Sequence, residues 1–190
     1  MQEKQRCAWV NPNNKLDTEY HDTQWGVPIF DDRLLFEMLI LEGAQAGLSW
    51  TTILNKRENY KKAFDNFDVQ KVVKYDEKKI AELLQNEGIV RNKLKVNATV
   101  KNAKAFIEIQ KEFESFSDYI WSFVDGKPIQ NHFKDISEIP AKTELSDNIS
   151  KDLKKRGMSF VGSTIMYAFM QAVGMVNDHE QKCFRHKEVK

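Results

Sequence analysis

The chain contains only two cysteines, Cys7 and Cys183, in 190 residues, which excludes a disulfide framework. Such sparse cysteine usage favours a reducing compartment. The opening segment Met1–Arg6 is polar and no apolar run follows it, so we expect no secretory signal. Together these features predict a cytoplasmic protein without a membrane partner.

Long apolar runs and an excess of charge of one sign are also missing. The segment 157–177 carries no charge over twenty-one residues, yet it contains serines, a threonine, a glutamine and three glycines. We therefore predict a buried helix there and no membrane span. Because the net charge is only +1, no global field draws the chain to nucleic acid, and such binding requires a local patch.

No segment of any length shows the period-two alternation of a strand, and neither internal repeats nor low-complexity segments are visible. With 190 residues and 41% hydrophobic content, the chain suits one domain or two small lobes that share a core. Residues 1–30 are predicted to be irregular and 129–145 to be a surface connection. Helical spacing and capping residues predict helices over Asp31–Leu41, Trp50–Phe64, Glu77–Gln85, Arg91–Phe113, Ser115–Val124 and Gly162–Val176. A further helix is predicted to end at Arg156, with Ser146 as its N-terminal cap. The segment Phe67–Val73 is predicted to be a connector or a short helix.

The segment Leu41–Trp50 combines a carboxylate, two glycines and a tryptophan. Glu42 falls in line with the apolar face of the preceding helix, near its last turn, where the helix dipole disfavours a carboxylate. Gly43 and Gly47 suggest a chain reversal or a close backbone approach before a helix that begins at Trp50. A carboxylate beside an aromatic ring can hold a flat cationic ligand. Spacing alone favours the alternative, an exposed glutamate and a packing tryptophan.

The first thirty residues are rich in large aromatic side chains, including Trp9, Tyr20 and Trp25. A disordered tail would not carry them, so we expect this segment to be pinned to the body of the protein. Because Tyr20 and His21 are adjacent, one side chain can enter a pocket while the other binds a metal ion.

Residues near both termini supply a possible metal site. His179 and Cys183 are four residues apart and would point the same way on a helical turn. With Cys7 and His21 they form a set of two cysteines and two histidines, as in closed tetrahedral zinc sites. The alternatives are unrelated thiols and surface histidines, or His186 as a substitute ligand. We predict one structural zinc ion that joins the termini, because four protein ligands leave no position for water.

A glycine-containing turn separates two predicted helices in the middle of the chain. Between Gly88 and Ile107 the chain carries no acid and five cations: Arg91, Lys93, Lys95, Lys101 and Lys104. A helix N-terminus behind such a turn presents backbone N–H groups that can bind a DNA phosphate. A plain helix hairpin with a solvated basic face is an equally compatible interpretation.

Taken together, these motifs resemble the bacterial 3-methyladenine DNA glycosylase I family, a divergent branch of the helix-hairpin-helix glycosylases. The resemblance extends from about Cys7 to Cys183. In order, it is carried by Tyr20-His21-Asp22, Trp25-Gly26-Val27-Pro28, Leu41-Glu42-Gly43, Gln45-Ala46-Gly47-Leu48-Ser49-Trp50, Lys56-Arg57-Glu58-Asn59-Tyr60, Leu153-Lys154-Lys155-Arg156-Gly157 and Val176-Asn177-Asp178-His179.

The resemblance implies an all-α fold in which a single domain, residues 1–190, divides into two helical lobes. The terminal segments would form one lobe with a structural zinc ion. The middle of the chain, with a helix-hairpin-helix element near 86–93, would form the other. The implied zinc ligands are Cys7, His21, His179 and Cys183.

It also implies a role for individual residues. Glu42 would read the edge of the base and is the candidate catalytic residue, Trp50 would stack on the base, and Tyr20, Trp9 and Trp25 would complete the pocket. The implied DNA contacts are Gly47 and Leu48, in the gap left by a flipped base, and Gly88, Val90, Arg91 and Lys93, at the phosphates.

The implied activity is hydrolysis of the N-glycosidic bond of 3-methyladenine in alkylated duplex DNA by a monomer. The products would be an abasic site and the free base, with no lyase step. Most helix-hairpin-helix glycosylases use an aspartate shortly beyond the hairpin, but the first acid here is Glu108, far along the helix. The resembled family also lacks that aspartate. Methylation at N3 makes adenine cationic, so the base can leave as a neutral molecule, and Glu42 can act through electrostatics and hydrogen bonding.

Two other classes of function compete with this interpretation. A non-catalytic helix-hairpin-helix module would bind DNA without releasing bases, and would leave Glu42 beside Trp50 without a purpose. A zinc hydrolase would need an open metal position, which a four-ligand site does not provide.

Overall fold

The computed structural model describes residues 4–189, so Met1–Glu3 of the polar opening segment and Lys190 lie outside the described residues. The α-helices are α1 (Lys15–Thr23), α2 (Asp32–Gln45), α3 (Trp50–Ala63), α4 (Val69–Val72), α5 (Glu77–Gln85), α6 (Lys93–Phe113), α7 (Phe116–Ser122), α8 (Glu144–Lys155) and α9 (Ser163–Ala172). Short 3-10 segments cover Asp65–Phe67, Ile136–Glu138 and Phe184–Lys187, and β1 (Ile129–Gln130) pairs in parallel with β2 (Val176–Asn177). The fold is therefore predominantly helical, as expected, although the short parallel pair was not predicted.

Helix α2 is the centre of the core. Its residues from Leu35 to Ala44 are all buried, and it contacts α3, α6, α7 and α9. The sequence instead predicted a long central helix over Gly162–Val176. That prediction was too long, because α9 ends at Ala172 and Gly174 adopts a φ of +75°. A Cβ on Gly174 would lie 2.4 Å from the backbone of Pro28, so this close approach excludes any larger residue.

The sequence had suggested that residues 1–30 are irregular, but helix α1 lies within this segment. The Asn14 side chain caps α1 by accepting hydrogen bonds from the amides of Leu16 and Asp17. Asp17 is buried and accepts hydrogen bonds of 3.1 and 3.0 Å from the Thr51 hydroxyl on α3. The weak apolar pattern of α1 hid the helix, whose stability depends on this cap and on packing.

Two further helix starts differ from the prediction, and in each a capping side chain that was not predicted defines the start. Helix α6 begins at Lys93, since the Asn92 side chain accepts from the Lys95 amide at 3.1 Å. Helix α8 begins earlier than expected: Thr143 is the cap and Ser146 is its partner in a capping box. Among residues 4–189, no helix combines the length and the apolar character that crossing a membrane requires.

Candidate active site and metal centre

A cavity of about 290 Å³ lies beside the C-terminal half of α2. This volume is at the lower end of the roughly 300–1,000 Å³ of small-molecule sites. Its lining combines residues of α1, α2, α3 and α9 with two tryptophans from the segments that flank α1 and two isoleucines from the connection 129–145: Trp9, Tyr20, Trp25, Glu42, Gln45, Trp50, Ile136, Ile139, Ala168 and Gln171. The structure thus brings together all five residues predicted for the pocket.

The remaining lining residues were not predicted as pocket residues. Ala168 and Gln171 are three apart on α9, a spacing that places them on one face, but nothing in the sequence indicates what that face meets. Ile136 and Ile139 lie in what was predicted to be a plain surface connection. Only the chain path of that connection across the cavity reveals their position.

Glu42 is buried in the last turn of α2, with 4% of its surface exposed, so the alternative of a solvated glutamate is wrong. Desolvation raises the pKa of its carboxyl group to about 8. No side chain among residues 4–189 donates a hydrogen bond to this carboxyl group. A buried acid without a partner is costly to the fold, and such groups concentrate at functional sites.

The aromatic residues around Glu42 also hold unpaired polar atoms. Within the described residues, the Tyr20 hydroxyl and the indole nitrogens of Trp9 and Trp50 are buried without a hydrogen-bond partner. Burial, and then the charge of Glu42, raise the pKa of Tyr20 well above 10.0, so its hydroxyl stays a donor. The Tyr20 and Trp50 rings lie 5.2 Å apart at 48°, and those of Trp9 and Trp25 are 5.2 Å apart in an edge contact. The cavity therefore offers flat apolar walls, donors and one acceptor to a small ring ligand.

The raised pKa of Glu42 predicts how stability depends on pH. Between pH 4.5 and 8 the folded protein keeps a proton that the unfolded chain loses, so this group makes stability fall as pH rises. Glu42→Gln removes that dependence while keeping the size of the side chain. The free energy of unfolding of the variant, relative to that of wild type, is expected to rise by about 2 kcal/mol between pH 6 and 8 and to level off at higher pH. Urea denaturation at several pH values measures this difference, and parallel pH profiles would contradict it.

The four predicted metal ligands form one buried cluster behind the aromatic wall. Their ligand atoms all lie within 4.8 Å of one another. The Sγ of Cys183 is 3.4 Å from Nε2 of His21 and 3.6 Å from Nδ1 of His179, and the Sγ of Cys7 is 3.4 Å from that same Nδ1. Zinc bonds of about 2.3 Å to sulfur and about 2.0–2.1 Å to nitrogen at tetrahedral angles require S–N separations of about 3.6 Å. The cluster can therefore hold a tetrahedral metal ion.

The other ring nitrogens of both histidines are also engaged. Nδ1 of His21 lies 2.8 Å from the carboxylate of Asp22, and Nε2 of His179 lies 3.0 Å from the carbonyl oxygen of Trp25. Contacts of this kind orient metal-binding imidazoles and fix their tautomers. A hydrogen bond from Cys7, followed by those from the two histidines, lowers the pKa of Cys183, which favours the thiolate that metals bind.

The spacing of His179 and Cys183 had suggested a helical turn, but the two residues do not lie on one. They flank a tight turn in which the amide of Cys183 donates to the carbonyl of Glu180 at 2.7 Å. This turn brings both side chains to the cluster without a helix. His186 is not a substitute ligand, because its Nε2 contacts the carbonyl of Asn131 at 2.9 Å.

The loop between α2 and α3 projects an apolar side chain. Helix α2 continues through Gly43, which allows a close approach to Phe160, so Gly43 does not reverse the chain. The reversal occurs at Gly47, with a φ of +79° and open space around it. Leu48, the next residue, is 41% exposed although it is a large hydrophobic residue. An exposed apolar tip beside the cavity is suited to insertion into another molecule.

The turn between α5 and α6 is held by side chains of α3. Lys56 donates to the carbonyl of Glu87 at 2.8 Å, and the Tyr60 hydroxyl accepts from the Val90 amide at 3.1 Å. Gly88 packs so closely that a Cβ would lie 2.9 Å from Asn59. These contacts fix the position of the turn. The first backbone N–H groups of α6 come directly after it and have no hydrogen-bond partner within the helix.

Only part of the predicted basic face is available to a ligand. Lys95 donates to the carbonyls of Ala44 and Ala46 at 2.8 and 2.7 Å, which caps the end of α2 and joins it to α6. Lys101 contacts the Ser159 hydroxyl at 3.1 Å. Lys93, by contrast, is exposed at the start of α6. The interpretation of a uniformly solvated basic face is therefore wrong for Lys95, because its ammonium group is hydrogen-bonded to the carbonyl groups at the end of α2.

Three comparisons place this architecture among known proteins. The family model for methyladenine glycosylase matches residues 9–186. The DNA-3-methyladenine glycosylase of Haemophilus influenzae is 50% identical over 178 residues, which are 94% of this chain and 96% of that protein.

Two solved structures share the fold. A crystal structure of 3-methyladenine DNA glycosylase I has a TM-score of 0.92 at 50% identity and covers 95% of this chain and 98% of its own. The Staphylococcus aureus 3-methyladenine DNA glycosylase I, solved to explain its recognition of 3-methyladenine, has a TM-score of 0.89 at 35% identity, covering 90% of this chain and 92% of its own. The chain therefore belongs to the methyladenine glycosylase family.

Proposed function

We propose that this protein is a DNA repair glycosylase that excises 3-methyladenine from alkylated duplex DNA. The observation that carries the proposal is the buried, unpaired carboxyl group of Glu42 in an aromatic cavity, in a chain of this family. N3-methylated adenine is flat, cationic while bonded to the sugar, and carries an exocyclic amine. Its shape suits the aromatic walls, and its charge and amine suit the carboxylate.

The chemistry asks little of the protein beyond binding. The base must leave the helix, enter the cavity and be held while its glycosidic bond breaks. The base departs as a neutral molecule and water adds to the sugar, so no proton needs to be given to the leaving group. A cationic base beside Glu42 favours the ionised form of its carboxyl group, which in turn stabilises the charge of the base, and Tyr20 and Trp50 hold the plane of the base. Glu108 does not line this cavity, and its exposed carboxylate pairs with the ammonium group of Lys111 at 2.7 Å.

The composition of the cavity lining supports the proposal that the bond is cleaved without a lyase step. A lyase reaction requires an amine that forms a Schiff base with the sugar. None of the lining residues is a lysine. We therefore expect an abasic site as the product.

Zinc is the metal proposed for the four-residue cluster. Two thiolates and two imidazoles at tetrahedral spacing suit zinc and fill its coordination, so the ion has a structural role. The ligands come from the two ends of the chain, and the amide of Phe184 donates to the carbonyl of Gln5 at 3.0 Å beside them. This clasp would define one lobe, the segment around the α5–α6 turn would define the other, and the cavity would lie between them.

DNA binding is proposed to use the α5–α6 turn and the loop at Leu48. The first amides of α6 and the Lys93 ammonium group can bind backbone phosphates, supported by Gly88, Val90 and Arg91. Gly47 gives the loop its reversal, and Leu48 can fill the space that a flipped base vacates. Lys95, which links α6 to this loop, would keep the two contacts at a fixed separation.

The salt dependence of DNA binding tests this surface. Lys93→Ala is expected to reduce the slope of log affinity against log salt by about one, because one phosphate contact is lost. Arg91→Ala is expected to have a smaller effect, since Arg91 lies 3.7 Å from the carboxylate of Glu87. Lys104→Ala is the matched control, an exposed lysine eleven residues further along the same helix. Equal slopes for the Lys93 and Lys104 variants would contradict the phosphate contact.

Release of free 3-methyladenine from methylated duplex DNA is the decisive test of the activity, with 7-methylguanine measured in the same reaction. We expect rapid release of 3-methyladenine and little 7-methylguanine, since guanine lacks the exocyclic amine at the corresponding position. Binding of the DNA without release of either base would instead favour a non-catalytic binding module.

A further inference from the structure

Helix α3 carries an arginine that the proposed function leaves unused. Arg57 lies in a segment of α3 rich in charged residues, yet only 14% of its side chain is exposed. Its Nε donates to Oε1 of Glu37 at 2.6 Å, and its Nη1 donates to Oε1 of Gln24 at 2.6 Å. The guanidinium group therefore joins two other segments of the protein.

Its main partner is an unusual group for a helix core. The Glu37 side chain is fully buried in the middle of α2, with Arg33 at 3.7 Å and Lys61 at 3.9 Å as more distant cations. Its Oε2 has no hydrogen-bond partner among residues 4–189. Buried ion pairs add little net stability compared with apolar packing, but their directional bonds fix the geometry of what they join.

The three segments that meet at Arg57 each hold a different wall of the base cavity. Glu37 is on α2, five residues before Glu42, which places the two about 140° apart around the helix. Gln24 caps α1, and its amide donates to the carbonyl of Tyr20 at 2.9 Å. Helix α3 itself begins at Trp50.

A rotation of α2 or a shift of α1 would therefore displace the carboxylate or the hydroxyl from the base. We propose that Arg57, with Glu37, is a positioning residue of the base pocket: it sets α1, α2 and α3 in the orientation in which Tyr20, Glu42 and Trp50 meet one ligand. This inference rests on the proposed function and names residues that do not touch the base.

Two variants separate positioning from a general loss of stability. Arg57→Met alone leaves Glu37 without its close partner and destabilises the fold. The double variant Glu37→Leu with Arg57→Met replaces the whole pair by apolar groups, which is generally tolerated. For both, measured where circular dichroism shows a folded protein, we expect the dissociation constant of free 3-methyladenine to rise about tenfold, because small misplacements in such sites have large effects. Affinity for undamaged duplex DNA should stay within about twofold of wild type, since phosphates supply it.

Arg156→Met is the matched control. Arg156 also bridges two acids, with Nε 2.6 Å from Asp152 and Nη1 2.7 Å from Glu112, but it lies on no helix that supplies a cavity residue. We expect wild-type base affinity in this variant. Arg57→Lys keeps the charge without the fork to both partners and should fall between wild type and Arg57→Met.

Wild-type base affinity in the folded double variant would overturn the proposal, as would an equal loss in Arg156→Met. Failure of the wild-type protein itself to bind or release 3-methyladenine would instead refute the proposed function, so the two failures are distinguishable.

Discussion

Cys183→Ala is expected to lower the melting temperature by about 10–20 °C. Loss of one of four ligands from a structural metal site costs about 5 kcal/mol, and each kcal/mol shifts the melting temperature of a chain of this size by about 2–4 °C. The effect is large because the cluster joins segments that are far apart in sequence, with Cys7 and Cys183 both buried in it. Thermal unfolding followed by circular dichroism measures it, with metal analysis of the wild-type protein expected to find about one zinc ion per chain.

His186→Ala is the control for this experiment. His186 belongs to the same C-terminal segment but lies outside the cluster, so its removal should shift the melting temperature by much less. Where the Cys183 variant is still folded, base binding should be less affected than stability. The ring centroid of Trp25 lies 4.6 Å from that of His179, so a metal ion in the cluster would support the cavity through this aromatic wall. A metal-free wild-type protein with unchanged melting would refute the clasp.

Glu42→Ala is expected to reduce the rate of 3-methyladenine release by about 100-fold, because both the charge and the acceptor are lost from a buried site. Glu42→Gln keeps the size and some hydrogen bonding but removes the charge. Measured above pH 8, where the Glu42 carboxyl group of the wild-type protein is ionised, its affinity for free 3-methyladenine should fall about tenfold relative to wild type, the difference between a charge-assisted and a neutral hydrogen bond. Trp50→Ala should also weaken base binding, through lost stacking. Free-base titration and single-turnover release measure these effects.

Glu108→Gln is the matched control, since Glu108 is an exposed glutamate and the first acid beyond the hairpin. We expect wild-type activity in this variant and nearly unchanged DNA affinity in all of them, because phosphates supply most of it. Wild-type base affinity in both Glu42 variants would mean that this carboxylate does not contact the base. Loss of activity in the Glu108 variant would assign the chemistry to the hairpin side instead.

The local sequence predicted most helices, because caps and apolar spacing act over a few residues. Helices α5 and α3 begin at the predicted residues, where Asp76 and Ser49 supply the caps. The errors arose where a different local hydrogen bond prevails, as at Asn14 and Thr143, or where a helix depends on packing. The two-residue pairing of β1 with β2 depends on contacts between distant segments, so no local pattern indicates it.

By itself, the sequence determined the helical class and the four candidate metal ligands through residue types and their spacing, and its family resemblance named five of the residues now found around the cavity. The tertiary structure alone decided which possibility holds. Residue spacing favoured an exposed Glu42, but it is buried in a cavity whose walls include residues of α1, α3 and α9. Likewise, a solvated basic face was compatible with the sequence around Lys95, but its ammonium group donates to carbonyls of α2, and nothing in the sequence indicates that Arg57 pairs with the buried carboxylate of Glu37. Burial and pairing depend on segments remote in sequence, and this is why charge and spacing along the chain could not supply them.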